Sequence, residues 1–330
     1  MNETQRYIIG EHIEEFEDGL ITRRELLRRV SIITGSASAG LAALVALGCN
    51  LDRPAAGTAA PTPSSATSPS PIVAYAIPPA APTTDGVTVK PDDPRIIVEG
   101  QSVSIKAEDG AGLIGYLAHP RDAGRHPAVL VIHENRGLTE HIRDVIRRVA
   151  TAGFAGIGID LVSRQGGADK LTDAAAYQAA LGSRSVADMV KDEQSAIAYI
   201  RGFSFTEASQ IGVVGFCFGG GMTWSVLAAG TGVQAAAPFY GPMPQDSAGI
   251  AKTKAAVSAV YAEKDTRITG TKDQMDALLQ QAGVPRALTV YPGVDHAFHN
   301  DTGNRYDATQ AQKAWIATIE WFKKYLGGTR

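Results

Sequence analysis

The sequence is poor in cysteine, has no basic stripe and has no long apolar run. Only two cysteines, Cys49 and Cys217, occur among 330 residues, so a network of disulfides is excluded. The net charge is −3, and lysines and arginines are scattered, so nucleic acid is not an expected partner. The uncharged stretch of residues 30–47 is near the lower limit for crossing a bilayer.

The N-terminal residues resemble a bacterial export signal. Residues 22–28 read TRRELLR, close to a twin-arginine signal, and residues 30–47 are rich in Ala, Gly and Ser. Residues 46–49 (ALGC) resemble a lipoprotein cleavage box, although Ala46 stands where Leu is commoner. We therefore predict an exported protein of the periplasm or cell envelope, with Cys49 as a membrane-anchoring lipidation site. A signal cut elsewhere and an uncleaved anchor are the alternatives.

The rest of the chain divides by composition into a tether and one domain. Residues 1–49 are the signal, and residues 50–94, dominated by Pro, Ala, Thr and Ser, are predicted to be a disordered linker. Residues 95–330 have the size of a single α/β domain. No internal repeat is present, and a monomer is expected.

Strand and helix patterns alternate through this domain. Several strands are continuous apolar runs, as expected for parallel strands buried on both faces. The predicted strands are 102–107, 113–118, 128–133, 155–159, 211–215, 235–239, 255–261 and 287–291. The predicted helices are 140–152, 185–201, 220–229, 272–281 and 308–325. This order indicates a mostly parallel, doubly wound sheet flanked by helices, with ligands at the carboxyl ends of its strands.

Residues 215–220 (GFCFGG) lie between an apolar strand and a helix. This is the context of the nucleophile elbow of the α/β-hydrolase fold, with Cys217 where Ser is usual. The residues two before and two after the nucleophile must be small because the turn is sharp. The N-terminus of the following helix is expected to favour the thiolate of Cys217. A buried structural cysteine in a glycine-rich turn is the alternative.

An acid and a base follow Cys217 in the order that this fold requires. Asp265 follows the strand 255–261, and His296 follows the strand 287–291. Three suitable side chains on three strand-end loops predict a Cys–His–Asp triad. Glu263 competes with Asp265 for the acid, and His299 competes with His296 for the base. Asp265 could also be a helix cap, and His296 and His299 lack a third ligand at a recognisable spacing, so no metal and no cofactor are expected.

The loop after the strand 128–133 is the place for a second oxyanion donor. We expect an oxyanion hole formed by the backbone N–H groups of Phe218 and Asn135. Glu134 lies at the end of the strand, where its carboxylate could reach the sulfur of Cys217. It could instead cap the helix that follows.

These separated motifs resemble the dienelactone hydrolase family, over about residues 103–326. The resemblance rests on residues 215–220, Glu134, the Asp–Leu pair 160–161, residues 239–241 (FYG), Asp265 and residues 296–298 (HAF). It implies a Cys–His–Asp triad in an α/β-hydrolase fold. It also implies that a glutamate like Glu134 holds the resting cysteine and releases it when substrate binds, and that lactone opening proceeds through a thioester.

One departure from the family limits the substrate assignment. The family places an arginine that binds the substrate carboxylate a few residues after the catalytic histidine, whereas this chain has His299, Asn300 and Asp301 there. Asp301 is expected to repel an anion. The candidate substrate-binding residues are Arg136, Arg164 and Tyr240.

The sequence therefore predicts an exported hydrolase of a small ester or lactone. A non-enzymatic envelope lipoprotein that binds a ligand in the same pocket is the main alternative of a different class. A peptidase of the same fold and a peroxide-sensing thiol are the others, and the last lacks a nearby resolving cysteine. The natural substrate is not identified by the sequence.

Overall fold

A computed structural model describes residues 1–51, 88–171 and 173–327 of the chain. The predicted linker, residues 50–94, lies mostly outside the described residues. The described parts form a helical N-terminal segment and one α/β domain, and the two are packed together.

The N-terminal segment consists of helices α1 (Glu3–Glu17), α2 (Arg23–Thr34) and α3 (Ala37–Ala46). Helix α1 begins with a capping box. The Asn2 side chain accepts a hydrogen bond from the backbone N–H of Gln5, and the Gln5 side chain accepts one from the backbone N–H of Asn2. Ile8 and Ile9 of α1 are fully buried. The residues interpreted as an export signal thus contribute to the packed core, which their sequence pattern did not indicate.

Among the described residues, no single helix is long and apolar enough to cross a membrane. Helices α2 and α3 reach the required length and hydropathy only together, and they are bent by 104° relative to each other.

The domain is built on one sheet of nine strands in the described part of the chain. The strands are β1 (Ile96–Val98), β2 (Val103–Lys106), β3 (Gly112–Pro120), β4 (His126–Ile132), β5 (Ala155–Ile159), β6 (Thr206–Phe216), β7 (Ala235–Phe239), β8 (Ala256–Ala262) and β9 (Arg286–Tyr291). Their order is β1-β3-β5-β4-β6-β7-β8-β9, with β2 paired to β3. The strands from β5 to β9 are parallel, and β3 is antiparallel to β5.

Helices of the domain cover the sheet. They are α4 (Glu140–Thr151), α5 (Ala174–Gly182), α6 (Val186–Arg201), α7 (Phe218–Ala228), α8 (Thr266–Thr269), α9 (Lys272–Ala282) and α10 (Ala308–Leu326). All residues of β4, β5, β7 and β8 are buried, which explains their continuous apolar sequences. The predicted α/β arrangement is confirmed.

The start of α7 lies almost against the backbone of β4. A Cβ atom on Gly219 would lie 2.3 Å from the Ile132 carbonyl oxygen and 2.6 Å from that of His133. Both contacts are to backbone atoms, which cannot rotate away. Glycine at this position therefore allows the helix to begin directly beside the sheet.

We predict that Gly219→Ala lowers the free energy of unfolding by more than about 2 kcal/mol, because α7 must move away from β4. Urea denaturation followed by circular dichroism measures this. Gly10→Ala is the matched control, since Gly10 is also helical and its added Cβ meets nothing within 4 Å. The control should be neutral or more stable by up to about 1 kcal/mol. Equal stability of the two variants would contradict the packing argument.

Candidate active site

Three strand-end loops meet at the carboxyl edge of the sheet. Cys217 directly follows β6, Asp265 follows β8, and His296 follows β9. All three are at least 94% buried. The structure therefore brings the predicted nucleophile, acid and base to one place.

Cys217 occupies the strained turn expected of a nucleophile elbow. Its backbone has φ 57° and ψ −120°, a region that residues other than glycine seldom adopt. A Cβ on Gly215 would lie 2.1 Å from the carbonyl oxygen of Gly219, so neither neighbour tolerates a side chain. The turn holds the sulfur above the end of β6 and at the N-terminus of α7.

His296 and Asp265 form a close pair. His296 Nδ1 lies 2.6 Å from Asp265 Oδ2, so the carboxylate fixes the imidazole ring. The other oxygen, Oδ1, accepts a hydrogen bond from the backbone N–H of Ile268 and caps α8. The helix-cap interpretation of Asp265 is therefore confirmed, and the role of its other oxygen in a triad stays a prediction.

The competing residues are occupied elsewhere. Glu263 accepts the backbone amide of Gly293 and so stabilises the turn before His296. His299 is stacked on Phe216, with ring centroids 5.0 Å apart, and burial lowers the pKa of its imidazole well below the usual range. It is therefore a neutral core residue.

The sulfur of Cys217 contacts helix α1. The Tyr7 hydroxyl lies 3.2 Å from Sγ, and Glu11 Oε2 lies 3.9 Å from it. The same Glu11 oxygen is 3.4 Å from His296 Nε2. The ligand atoms of Glu11, Cys217 and His296 all lie within 4.8 Å of one another. These atom types also bind metals, so the expectation that the chain binds no metal stays a prediction.

Burial keeps the thiol of Cys217 protonated at rest. Desolvation raises its pKa, the negative charge of Glu11 raises it further, and His296 opposes both. The helix N-terminus is positioned as expected, but the predicted bias towards thiolate is outweighed by burial and by Glu11.

The pKa of His296 is raised by its neighbours although the side chain is buried. Burial by itself would lower the pKa of the imidazole, but Glu11, Cys217 and the hydrogen bond to Asp265 together raise it well above its usual range. In the same pair, burial raises the pKa of Asp265, but the hydrogen bond and charge of His296 outweigh burial and lower it. His296 is thus a charged imidazolium between two carboxylates.

The two predicted oxyanion donors follow strands that are paired with each other. Ile132 at the end of β4 pairs with Gly215, so the loop that carries Asn135 starts beside the elbow. Phe218 is the first residue of α7, and the first amides of a helix have no acceptor within the helix. Glu134 is buried, but its carboxylate accepts a 2.6 Å hydrogen bond from Asn300 rather than one from Cys217.

A cavity of about 680 Å³ is lined by Asp265 and His296. Helix α1 lines it through Tyr7 and Glu14. The arginines and lysine on this cavity are Arg6, Lys264, Arg267 and Arg305, and none of them was predicted as a substrate-binding residue. Carboxylates line the cavity as well.

The predicted substrate-binding arginines do not line this cavity. Arg164 is bound to Asp109 and Asp192 at 2.7 Å each, and Arg136 is exposed. Tyr240 is fully buried, with its ring centroid 4.9 Å from that of His296, and its hydroxyl has no hydrogen-bond partner among the described residues.

Asp301 is neutralised by its neighbours. It accepts hydrogen bonds from His141 at 2.7 Å and from Arg148 at 2.5 Å, and these contacts lower the pKa of its carboxyl. The charge of Asp301 is thus partly compensated by Arg148, which weakens the repulsion of an anion that the sequence suggested.

Sequence reasoning missed Tyr7, Glu11 and Arg267. Arg267 forms ion pairs with Glu11 and Glu14 and lies over the ring of Tyr7. The capping box of α1 and the apolar residues Ile8, Ile9, Ile13 and Phe16 at helical spacing were the available signals.

Comparison with known proteins settles the family. The model of the dienelactone hydrolase family matches residues 113–326. The chain belongs to the dienelactone hydrolase family. It is a dienelactone hydrolase-like hydrolase with the α/β-hydrolase fold.

Relatives match over most of their length. A Methylorubrum extorquens protein named "Putative carboxymethylenebutenolidase" is 32% identical, over 71% of this chain and 83% of its own. An Escherichia coli protein of the same name is 30% identical, over 76% of this chain and 95% of its own. The crystal structure of a Klebsiella pneumoniae protein described as a putative dienelactone hydrolase has a TM-score of 0.63 at 29% identity, covering 70% of this chain and 99% of that chain.

We predict that the pKa of His296, measured by NMR titration, lies above the usual range for histidine. Glu11→Gln should lower it by about one unit or more, because one of the two carboxylates is removed. Glu14→Gln is the matched control, since Glu14 also binds Arg267 but does not contact His296. A wild-type titration curve in Glu11→Gln would contradict the assigned charge balance.

The contact between Glu11 and His296 makes the stability of the fold depend on pH. A raised folded-state pKa contributes stability below the unfolded-state pKa, and the contribution is lost as pH rises through the folded-state value. Glu11→Gln should therefore reduce the free energy of unfolding more at mildly acidic pH than at alkaline pH. Urea denaturation at the two pH values measures the difference, and an equal loss at both would contradict it.

Proposed function

We propose that the protein hydrolyses a small carboxylic ester or lactone, with Cys217 as nucleophile, His296 as general base and acid, and Asp265 as the residue that orients the imidazole. The observation that carries this proposal is the strained Cys217 elbow beside the 2.6 Å pair of His296 and Asp265. The names of the relatives, carboxymethylenebutenolidase among them, support the ester or lactone class.

The reaction follows from these positions. His296 first releases its resting proton to solvent. The thiol proton then passes to the neutral imidazole, and the sulfur forms a bond to the carbonyl carbon while the carbonyl oxygen becomes an oxyanion. The amides of Phe218 and Asn135 donate to that oxygen, a contact typically worth about 3–4 kcal/mol per donor. The C–O bond then breaks, and the leaving oxygen takes its proton from His296.

Water completes the cycle. His296 removes a proton from a water molecule that attacks the thioester carbon, and Cys217 leaves and is reprotonated. The products are a carboxylic acid and an alcohol, which for a lactone are two groups of one molecule. The cavity of about 680 Å³ is of the size that binds small molecules.

We predict that Cys217→Ala lowers turnover of p-nitrophenyl acetate by at least about a thousandfold, because no other nucleophile stands at the elbow. Circular dichroism checks that the fold is intact. Cys49→Ala is the matched control and should keep wild-type turnover. Unchanged turnover in Cys217→Ala would remove this residue from the mechanism.

Mass spectrometry after mixing with the ester separates an enzyme from a ligand-binding protein. The enzyme forms an acyl adduct on Cys217. Hydrolysis of this adduct is slower at low pH, so the adduct can be detected there. Stoichiometric binding without an adduct and without turnover would favour the lipoprotein alternative.

Export stays a prediction from residues 22–28 and 46–49. Cleavage before Cys49 would remove α1, and with it Tyr7 and Glu11, from the mature protein. The mass of the protein purified from the native envelope and cytosolic fractions tests this. A chain that begins at a lipid-modified Cys49 supports the lipoprotein prediction, and a full-length chain in both fractions contradicts it.

A further inference from the structure

Helix α1 separates Cys217 from the cavity that is lined by Asp265 and His296. The cavity of about 680 Å³ is lined by His296 and Tyr7, and Cys217 is not among its lining residues. A second cavity of about 30 Å³ lies at the start of α7, lined by Phe218 and Met222. Glu3, Tyr7 and Pro242 line both cavities, so they form the partition between them.

Tyr7, which is part of this partition, also contacts the sulfur of Cys217. Tyr7 is 92% buried, and its hydroxyl, 3.2 Å from Sγ, takes the place next to the sulfur that an attacked carbonyl group would need. Cys217 is only 5% exposed in this arrangement. A substrate in the larger cavity therefore reaches His296 but not the nucleophile.

Glu11 completes the closed arrangement. Its carboxylate lies 3.4 Å from His296 Nε2, the nitrogen that must receive the thiol proton. Among the described residues, that nitrogen makes no hydrogen bond of good geometry, although it lies within 4.8 Å of the sulfur of Cys217. An imidazole whose free nitrogen faces a carboxylate holds its proton and cannot act as a base.

Side chains of the catalytic domain hold α1 in place. Arg267 pairs with both Glu11 and Glu14, and Arg305 binds Asp18 at 2.7 Å. These ion pairs are partly exposed, so they are the weaker part of the attachment of α1. Ile8 and Ile9 are fully buried, so movement of α1 must also separate their apolar contacts.

We propose that α1 is a gate whose Tyr7 blocks the access of substrate to Cys217 and whose Glu11 keeps the proton on His296 until the helix moves. This inference rests on the proposed function of Cys217 and applies to the chain that retains α1, not to one cleaved before Cys49. Movement of α1 joins the two cavities and exposes the sulfur together with the Phe218 amide. It also removes a carboxylate from His296, so the imidazolium can release its proton to solvent and the neutral imidazole can accept the thiol proton.

The first test is the rate at which iodoacetamide alkylates Cys217, followed by mass spectrometry of its peptide. Tyr7→Ala should raise the rate about tenfold or more, because reaction through an open state follows the population of that state. Tyr7→Phe removes the hydroxyl but keeps the ring in the partition, so it should raise the rate less than Tyr7→Ala does. Equal rates in Tyr7→Ala and the wild type would overturn the gate.

The second test is hydrogen exchange of the α1 backbone. Arg267→Gln should speed exchange in α1 and leave that of β6 unchanged. Arg28→Gln is the matched control, since Arg28 pairs with Glu25 on α2, and it should not change α1. Wild-type exchange in Arg267→Gln would overturn the gate. Neither test uses turnover, so a failure of the gate is distinguishable from a failure of the hydrolase proposal.

Discussion

The backbone turn at Cys217 is the constraint on which the site depends. A residue with φ 57° between β6 and α7 forces glycine at two positions and brings the helix against the end of β4. Strain of this kind costs about 1–3 kcal/mol and persists only where the surrounding structure fixes it. The buried parallel strands β4, β6 and β7 supply that support, so the sulfur has a fixed position to which the loops of Asp265 and His296 can be matched.

Electrostatics then decide the resting state of this sulfur. Burial favours the neutral thiol, and Glu11 favours it further, whereas a charged His296 alone would favour the thiolate. The imidazole has two carboxylate neighbours, one on each side, and so keeps its proton. Arg267 binds Glu11 from the other side and keeps this carboxylate at the site. In this arrangement Cys217 has the position of a nucleophile but is held as a neutral thiol.

Most of the domain was predictable because its signals are local. Apolar patterns, several of them continuous runs, identified the strands from β2 to β9, and the glycines around Cys217 identified the elbow. The edge strand β1 and the alanine-rich helix α5 were missed because three residues and an unpatterned sequence carry no periodicity. The contacts of Tyr7 and Glu11 join residues more than 200 positions apart, and a twin-arginine motif nearby favoured a different interpretation. Asp301 was misjudged for the same reason, since its partner Arg148 is distant in sequence.

The central claim is that Cys217 is held as a neutral thiol by burial and by Glu11. The most direct measurement is the ultraviolet absorbance of the thiolate as a function of pH, taken as the difference between the wild type and Cys217→Ala. The account predicts that this absorbance develops only above the usual range for a thiol. In Glu11→Gln it should develop at lower pH. A thiolate already present at neutral pH in the wild type would contradict the account.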